Sequence, residues 1–342
     1  MKRTAIFLII LFALLFSLAI FIVKDLAKKQ SESAEKLTPF TVVLDWTPNT
    51  NHTGMYVALA KGWYKDEGLD VKILPYASGT APEVLVTSGK ADVAVSSTEG
   101  VVAAAASGNP VVSIAAIIQH NTSGFLARSD AGIKTPKDLD NKIDGDSASP
   151  IEKAILQKII KSDGGKGNFT NVNLDVDSMQ ALASKKIDFF WAFEGWEVIQ
   201  AQEMGLPVVY FPSVKYDIPD YYTPVLVSGP EEIKQKPELL KKFMTATAKG
   251  YQYAIDHPED AAKILITTAP KDTFPNTILV MKSQEFLSTH YVDKGRQWGL
   301  QDRKVWQEYP QFMIYAGGVQ DKNGKPLKNL NFASLYTNGF LP

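Results

Sequence analysis

The residues of this sequence best equipped for chemistry gather in two stretches. The first is Leu44-Asp45-Trp46-Thr47-Pro48-Asn49-Thr50-Asn51-His52-Thr53-Gly54. Here the apolar run Val42-Val43-Leu44 ends in a carboxylate and an indole, then gives way to carboxamides, hydroxyls and an imidazole. Asp45 could accept an N–H from an amidine-like edge, and Asn49 and Asn51 beside Asp45 and Trp46 suit a flat heteroaromatic ring. Each has a plainer role open to it: an acid at a helix N-terminus is favoured by the helix dipole, and asparagines are common in turns. His52 has no nucleophile that the sequence pairs with it, so hydrolysis finds no support.

The second stretch is Trp191-Ala192-Phe193-Glu194-Gly195-Trp196-Glu197, in which two indoles and two carboxylates bracket a glycine. Core packing accounts for Phe189 and Phe193 but less readily for the rest. An indole face can stack on a flat ring and a carboxylate can accept from ring N–H or amino groups, so Glu194 with Trp191 or Trp196 reads as a ligand contact. Its counterpart in the first half of the chain is Ser96-Ser97-Thr98-Glu99-Gly100, which makes Ser97 and Thr98 candidates by equivalence. Tyr222 reads equally as cleft wall or hinge packing. The loop Asp144-Gly145-Asp146-Ser147-Ala148-Ser149-Pro150 lacks the glycine spacing and lysine of a P-loop, leaving only backbone N–H groups to receive a polar or anionic group.

What must position these residues is an alternation of strands and helices. Phe40–Trp46, Leu69–Tyr76, Ala91–Val95 and Val111–Ile118 read as strands, with helices at His52–Lys65, Pro82–Ser88 and Gly100–Ser107 between them. That is a parallel α/β pattern in which ligands sit at the carboxyl ends of strands. The pattern then repeats: a helix at Pro150–Ser162, a strand at Val172–Val176, a helix at Ser178–Ser184, then strands at Ile187–Phe193 and Val208–Phe211. Gly89-Lys90-Ala91-Asp92-Val93-Ala94 parallels Lys185-Lys186-Ile187-Asp188-Phe189-Phe190. Gly108-Asn109-Pro110-Val111-Val112 likewise parallels Gly205-Leu206-Pro207-Val208-Val209, at an offset of about 96 residues. A duplication of this length gives two similar α/β lobes with a cleft between them. Tyr221–Val227 reads as a strand returning to the first lobe. The helices beyond it, with capping boxes at Ser228/Glu231 and Asp256/Glu259, read as scaffold on that lobe. The expected division is 39–124 with 222–342 for the first lobe and 125–221 for the second.

Composition narrows the function classes. The 36 basic and 37 acidic side chains nearly cancel, and no basic block with interleaved aromatics points to nucleic acid. The absence of cysteine excludes disulfides, thiolate metal sites, a thiol nucleophile and a lipoprotein anchor. Met1-Lys2-Arg3 precedes the run Ala5–Val23, whose only polar member is Ser17, close to the ~20 residues that span hydrocarbon as a helix. A small-x-small cleavage site is poor, so residues 1–23 read as an uncleaved signal anchor rather than a cleaved signal, and 24–38 as a tether. The soluble part is expected outside the cytoplasm on either reading.

With these residues in view, the chain resembles the thiamine-precursor pyrimidine-binding proteins of ABC importers, the ThiY-like group. Their wider family includes riboflavin-, sulfonate- and nitrate-binding proteins and the fungal pyrimidine synthases. The resemblance covers roughly 38–315. Leu44–Gly54 carries it most specifically, with Ala60–Val71, Ser88–Ala94 and Phe193–Glu197 in support. It implies an α/β, two-lobed type II periplasmic-binding-protein fold, preceded here by the N-terminal transmembrane helix. It also implies an aminopyrimidine ligand, a partner permease with its ATPase, no cofactor and no catalysis. Carried onto this sequence, Asp45, Trp46, Asn49 and Asn51 would form one wall and Glu194 and Trp196 the other. A riboflavin ring would suit the same walls. The synthases carry a pyridoxal-phosphate lysine where this chain has Ser96-Ser97, and a cysteine-rich motif where it has Ile218-Pro219-Asp220-Tyr221-Tyr222.

Overall fold

The computed structural model describes residues 37–76, 79–145, 149–174 and 177–342. The anchor helix and nearly all of the tether therefore lie outside the described residues, as do 146–148 of the Asp144–Pro150 loop and the end of the strand expected at Val172–Val176.

Ten strands form two five-stranded sheets among the described residues. The first contains β1 (Thr38–Val43), β2 (Leu69–Leu74), β3 (Val93–Ser96), β4 (Val112–Ala116) and β10 (Val225–Ser228), in the order β2-β1-β3-β10-β4. The second contains β5 (Ser123–Arg128), β6 (Ile143–Asp144), β7 (Thr170–Asn171), β8 (Phe189–Phe193) and β9 (Val208–Pro212), in the order β7-β6-β8-β5-β9. Each sheet with its covering helices is called a lobe below. Neither sheet is purely parallel, as the alternation had suggested. β10 pairs antiparallel with β3 (Val225 opposite Ser96) and with β4, and β5 pairs antiparallel with β8 (Phe125 opposite Trp191) and β9. Both exceptions are strands by which the chain enters a lobe from the other one. Each therefore runs against the two strands it pairs with.

The internal repeat is legible atom by atom. Asp92 accepts the Thr41 N–H at 2.7 Å, and its counterpart Asp188 accepts the Ile143 N–H at 2.9 Å. In each lobe the aspartate's own N–H returns to the same neighbour's carbonyl at 2.9 Å. The turns before these strands are equivalent too: Gly89 has φ 70° and Lys185 φ 62°, a left-handed backbone that glycine adopts freely and lysine rarely. The repeated Lys-x-Asp phrase is thus a clamp between adjacent strands, not a functional motif.

The helices used below are α1 (Thr53–Ala60), α2 (Thr98–Ala106), α3 (Pro150–Ser162), α4 (Pro237–Asp256), α5 (Pro258–Thr268), α6 (Thr277–Ser288) and α7 (Arg303–Tyr315). Strand alternation sends Val42 and Val43 to opposite faces of the first sheet. Val42 joins a core with Met55, Phe243, Tyr251 and Val280; Val43 joins one that continues into the second lobe through Phe125, Ile155, Ile159 and Phe189. A third cluster, including Leu126, Leu182 and Phe190, covers the other face of the second sheet. α1 and α4 cross very closely: a Cβ on Gly250 would lie 1.9 Å from the Gly54 carbonyl oxygen, and one on Gly54 would lie 2.3 Å from the Tyr251 ring.

Several expectations are corrected. The sequence suggested one helix over 52–65, but the chain breaks at Gly62, φ 75°, into α1 and a short turn at Trp63–Asp66. Neither capping box forms. Asp256 still lies inside α4, which leaves His257 at the cap of α5, while Ser228 ends β10 and donates to the Asp92 carbonyl at 2.7 Å. The C-terminal helices are not scaffold for the first lobe alone. α6 buries Val280 and Leu287 in the first core and also meets residues 194–203 of the second lobe, with Phe286 and Leu287 against Gly195.

Candidate functional site

The first wall starts where β1 ends. His52 is fully buried, and its Nδ1 accepts the Asn49 backbone N–H at 3.1 Å. The ring proton must therefore sit on Nε2, which donates to Asp45 Oδ1 at 2.9 Å. His52 is consequently a holder in a single tautomer rather than a base. The Asp45 side chain keeps 32 % exposure, and its second oxygen makes no hydrogen bond among the described residues. Trp46 is 60 % exposed, with its ring stacked on Tyr76 at 5.7 Å. An outward carboxylate oxygen beside an open indole is what recognition of a flat N–H-bearing ring requires.

The other sequence candidates divide. The Asn49 side chain is spent locally, accepting from Asn51 N–H at 2.9 Å and donating to the Thr47 carbonyl at 3.1 Å. It is the turn former of the plainer reading. Asn51 is different: its carbonyl accepts from Tyr251 Oη at 2.7 Å, while its carboxamide makes no hydrogen bond among the described residues. Ser97 caps α2 by accepting Gly100 N–H at 3.1 Å, and buried Thr98 donates to the Tyr222 carbonyl at 2.7 Å. Tyr222 is buried and its hydroxyl accepts the Asp302 N–H at 2.9 Å, with Trp306 at 6.3 Å. Its ring is thus packed inside the protein rather than open to solvent.

On the second lobe the two indoles part company. Trp191 meets Phe125 edge-on at 5.3 Å in the core shared by both lobes. Trp196 packs against the first core with Phe274 at 6.5 Å, since residues 194–198 form one turn of wide helix that swings its side chain toward the first lobe's helices. They belong to different clusters and do not make one aromatic clamp. Glu194 is half-buried, and its N–H donates to the Thr122 carbonyl at 2.9 Å. Burial, with the charges of Glu194 and Glu197 added, holds the Tyr210 hydroxyl well above its ordinary range.

Two acidic residues outside the candidate set stand out. Glu197 accepts the Phe193 N–H at 2.9 Å, and burial pushes its carboxyl up to about 7. Glu99 accepts from Tyr309 Oη at 2.5 Å, and Tyr309 stacks on Tyr221 with ring centres 3.6 Å apart. The signal for Glu99 was present in the repeat, where Glu99-Gly100 stands opposite Glu194-Gly195. A cavity of about 280 Å³ adjoins Glu99, lined also by Ser149, Pro150, Ile151, Met313 and Val319. It joins the N-terminal ends of α2 and α3; Ser149 and Pro150, from the loop expected to offer backbone N–H groups, line it, but none of Asp45, Trp46, Asn49, Asn51, Glu194 and Trp196 does. Its lining is mostly apolar with one carboxylate, Glu99. Among the described residues no group of three His, Asp or Glu side chains could hold a metal ion.

The sequence model described as NMT1/THI5 like matches residues 49–261. The chain is 28% identical over 299 residues to the formylaminopyrimidine-binding protein of Halalkalibacterium halodurans, covering 85% of this chain and 89% of that one. It is 24% identical over 324 residues to the 4-amino-5-hydroxymethyl-2-methylpyrimidine phosphate synthase of Legionella pneumophila, covering 88% and 92%. Among solved structures, the alkanesulfonate-binding protein SsuA of Xanthomonas axonopodis pv. citri, bound to MOPS, superposes with a TM-score of 0.65. It does so at 12% identity over 89% of this chain and 99% of that one. The fold is that of the periplasmic binding proteins.

Proposed function

The chain belongs to the NMT1/THI5-like family, and from that premise we propose that it is the substrate-binding protein of an ABC importer for a thiamine-precursor aminopyrimidine. The observation that carries this reading is the Asp45–His52 pair beside Trp46. Asp45 is fixed by a buried histidine of one tautomer and turns an oxygen outward next to an exposed indole. An aminopyrimidine matches it with an amino group that donates and ring atoms that stack. Glu194 closes the site from the second lobe, and Asn51 supplies a carboxamide from the first. The leader at 1–23 anchors the protein, with the binding lobes outside the cytoplasm and the permease and its ATPase as partners.

Relatives of this chain include pyrimidine synthases, so the choice between grip and enzyme matters. Where the resemblance puts the synthase lysine, this chain has Ser96, whose hydroxyl bonds Glu83, and Ser97, whose hydroxyl caps α2. Neither supplies an amine for a cofactor, which favours binding without turnover.

The test is thermal stabilisation of the full chain by formylaminopyrimidine, aminopyrimidines, riboflavin and sulfonates. Ligand at 100 times its Kd should add ~2.7 kcal/mol. A shift with riboflavin and none with any pyrimidine overturns the proposal. Asp45→Asn and Glu194→Gln should each weaken binding tenfold or more by order of magnitude, as expected for a lost charge-assisted bond, while the unliganded melting temperature stays put.

A further inference from the structure

The Thr50 and Ser283 hydroxyls lie 2.6 Å apart, and Ser283 Oγ donates to the Gly195 carbonyl. A serine hydroxyl has one proton, and here it is committed to Gly195. Thr50 must therefore be the donor to Ser283, which gives the chain a direction: Thr50 Oγ1–H to Ser283 Oγ–H to Gly195 O. Thr50 and Ser283 are 1% and 0% exposed, so no water competes.

Both ends of this chain lie in the candidate site. Thr50 sits in the loop that carries Asn51 and His52, and its own carbonyl is held by Tyr291 Oη at 2.5 Å. Gly195 follows Glu194 in the second lobe, and a Cβ there would come 2.9 Å from the Phe286 ring of α6. Ser283 is also unusual among the helical hydroxyls. Thr245, Thr267 and Ser288 all turn back onto carbonyls of their own helix, the default for a serine or threonine inside a helix. Ser283 forgoes that bond for two partners on different lobes.

We propose that Ser283 is the positioning residue that couples the two walls, locking the loop 49–52 to the turn 194–198 when the lobes close. The inference rests on the cleft being the ligand site, but the bond itself needs no ligand. It is uncharged and buried, so its contribution is insensitive to salt, unlike the neighbouring Lys282–Glu203 ion pair on the exposed side of the same contact.

The chain has no cysteine, so Lys72→Cys and Lys186→Cys place two unique spin labels, one on each lobe. Pulsed electron resonance then reads the ratio of closed to open molecules of the full chain without ligand. Ser283→Ala should lower that ratio roughly 2- to 10-fold, the range for loss of one buried hydrogen bond. Thr50→Val should do the same, and the double variant should add little because both remove one chain. The losses should be equal at low and high salt. Unchanged distances in Ser283→Ala, or fully additive losses in the double variant, overturn the proposal; Thr50→Val decides the matter if Ser283→Ala does not fold. A shift in lobe distances with no pyrimidine binding in the parent protein would defeat the functional reading alone.

Discussion

Replacing Asp144 with asparagine should make the protein more stable above neutral pH. Asp144 ends β6 with 1% exposure; one oxygen accepts from Asn171 Nδ2 at 3.0 Å and the other has no partner among the described residues. Burial first, and the charge of Glu152 second, push its carboxyl from 3.8 up to about 7. A carboxyl whose folded value lies above its unfolded one contributes stability that is complete below about pH 4 and is lost as pH rises through about 7. At about 1.36 kcal/mol for each pH unit the cost at pH 8 reaches at most about 4 kcal/mol. Asparagine keeps an oxygen for Asn171 and turns an amide toward Glu152 instead of a second charge. In urea titrations Asp144→Asn should therefore exceed the parent by about 2–4 kcal/mol at pH 8 and by about 1 kcal/mol at pH 4.5. Equal stability at pH 8, or a gap of the same size at both pH values, would refute the reasoning.

Two further outcomes follow from packing and capping. Gly250→Ala forces a methyl to within 1.9 Å of the Gly54 carbonyl oxygen, so α1 and α4 must separate. A loss of about 3 kcal/mol or more in urea is expected, beyond ordinary overpacking. Asn49→Ala removes the cap on the turn 50–52 and should cost about 1 kcal/mol. Because that turn sets the His52–Asp45 bond, ligand affinity should fall with it; calorimetry showing full affinity would separate the turn from the site.

The alternation of elements was readable because strand and helix periods differ, and helix α3 falls on its expected bounds, Pro150–Ser162. The repeat was readable because Asp92 and Asp188 do the same backbone work in both lobes. Strand direction was not: Val225-Leu226-Val227 looks the same read either way, and only the route of the chain between lobes makes β10 antiparallel. The site was legible in part. Asp45 and Trp46 present themselves outward, but Asn49, Ser97 and Thr98 were drawn into caps and a buried backbone contact that polar residues at such positions also serve. Trp196 faces the first core because its turn is wider than an α-helix, a local geometry with no composition signal. Ser283 was hidden for the same reason that it matters: its partners are distant in sequence.

The placement of β10 bears on how the chain must be assembled in time. All five strands of the second sheet come from Ser123–Pro212, one uninterrupted length of chain, whereas the first sheet receives its β10 only at Val225–Ser228. Until then β4 has no strand to hold it, because β10 is its sole neighbour in the sheet order. The later lobe in sequence can thus be finished while the earlier one stands with a slot one strand wide between β3 and β4. Pairings across so many residues form slowly. A nascent or truncated chain ending before Val225 would carry that unfilled slot as two open strand edges, and would be the form of this protein most prone to pair with a stranger.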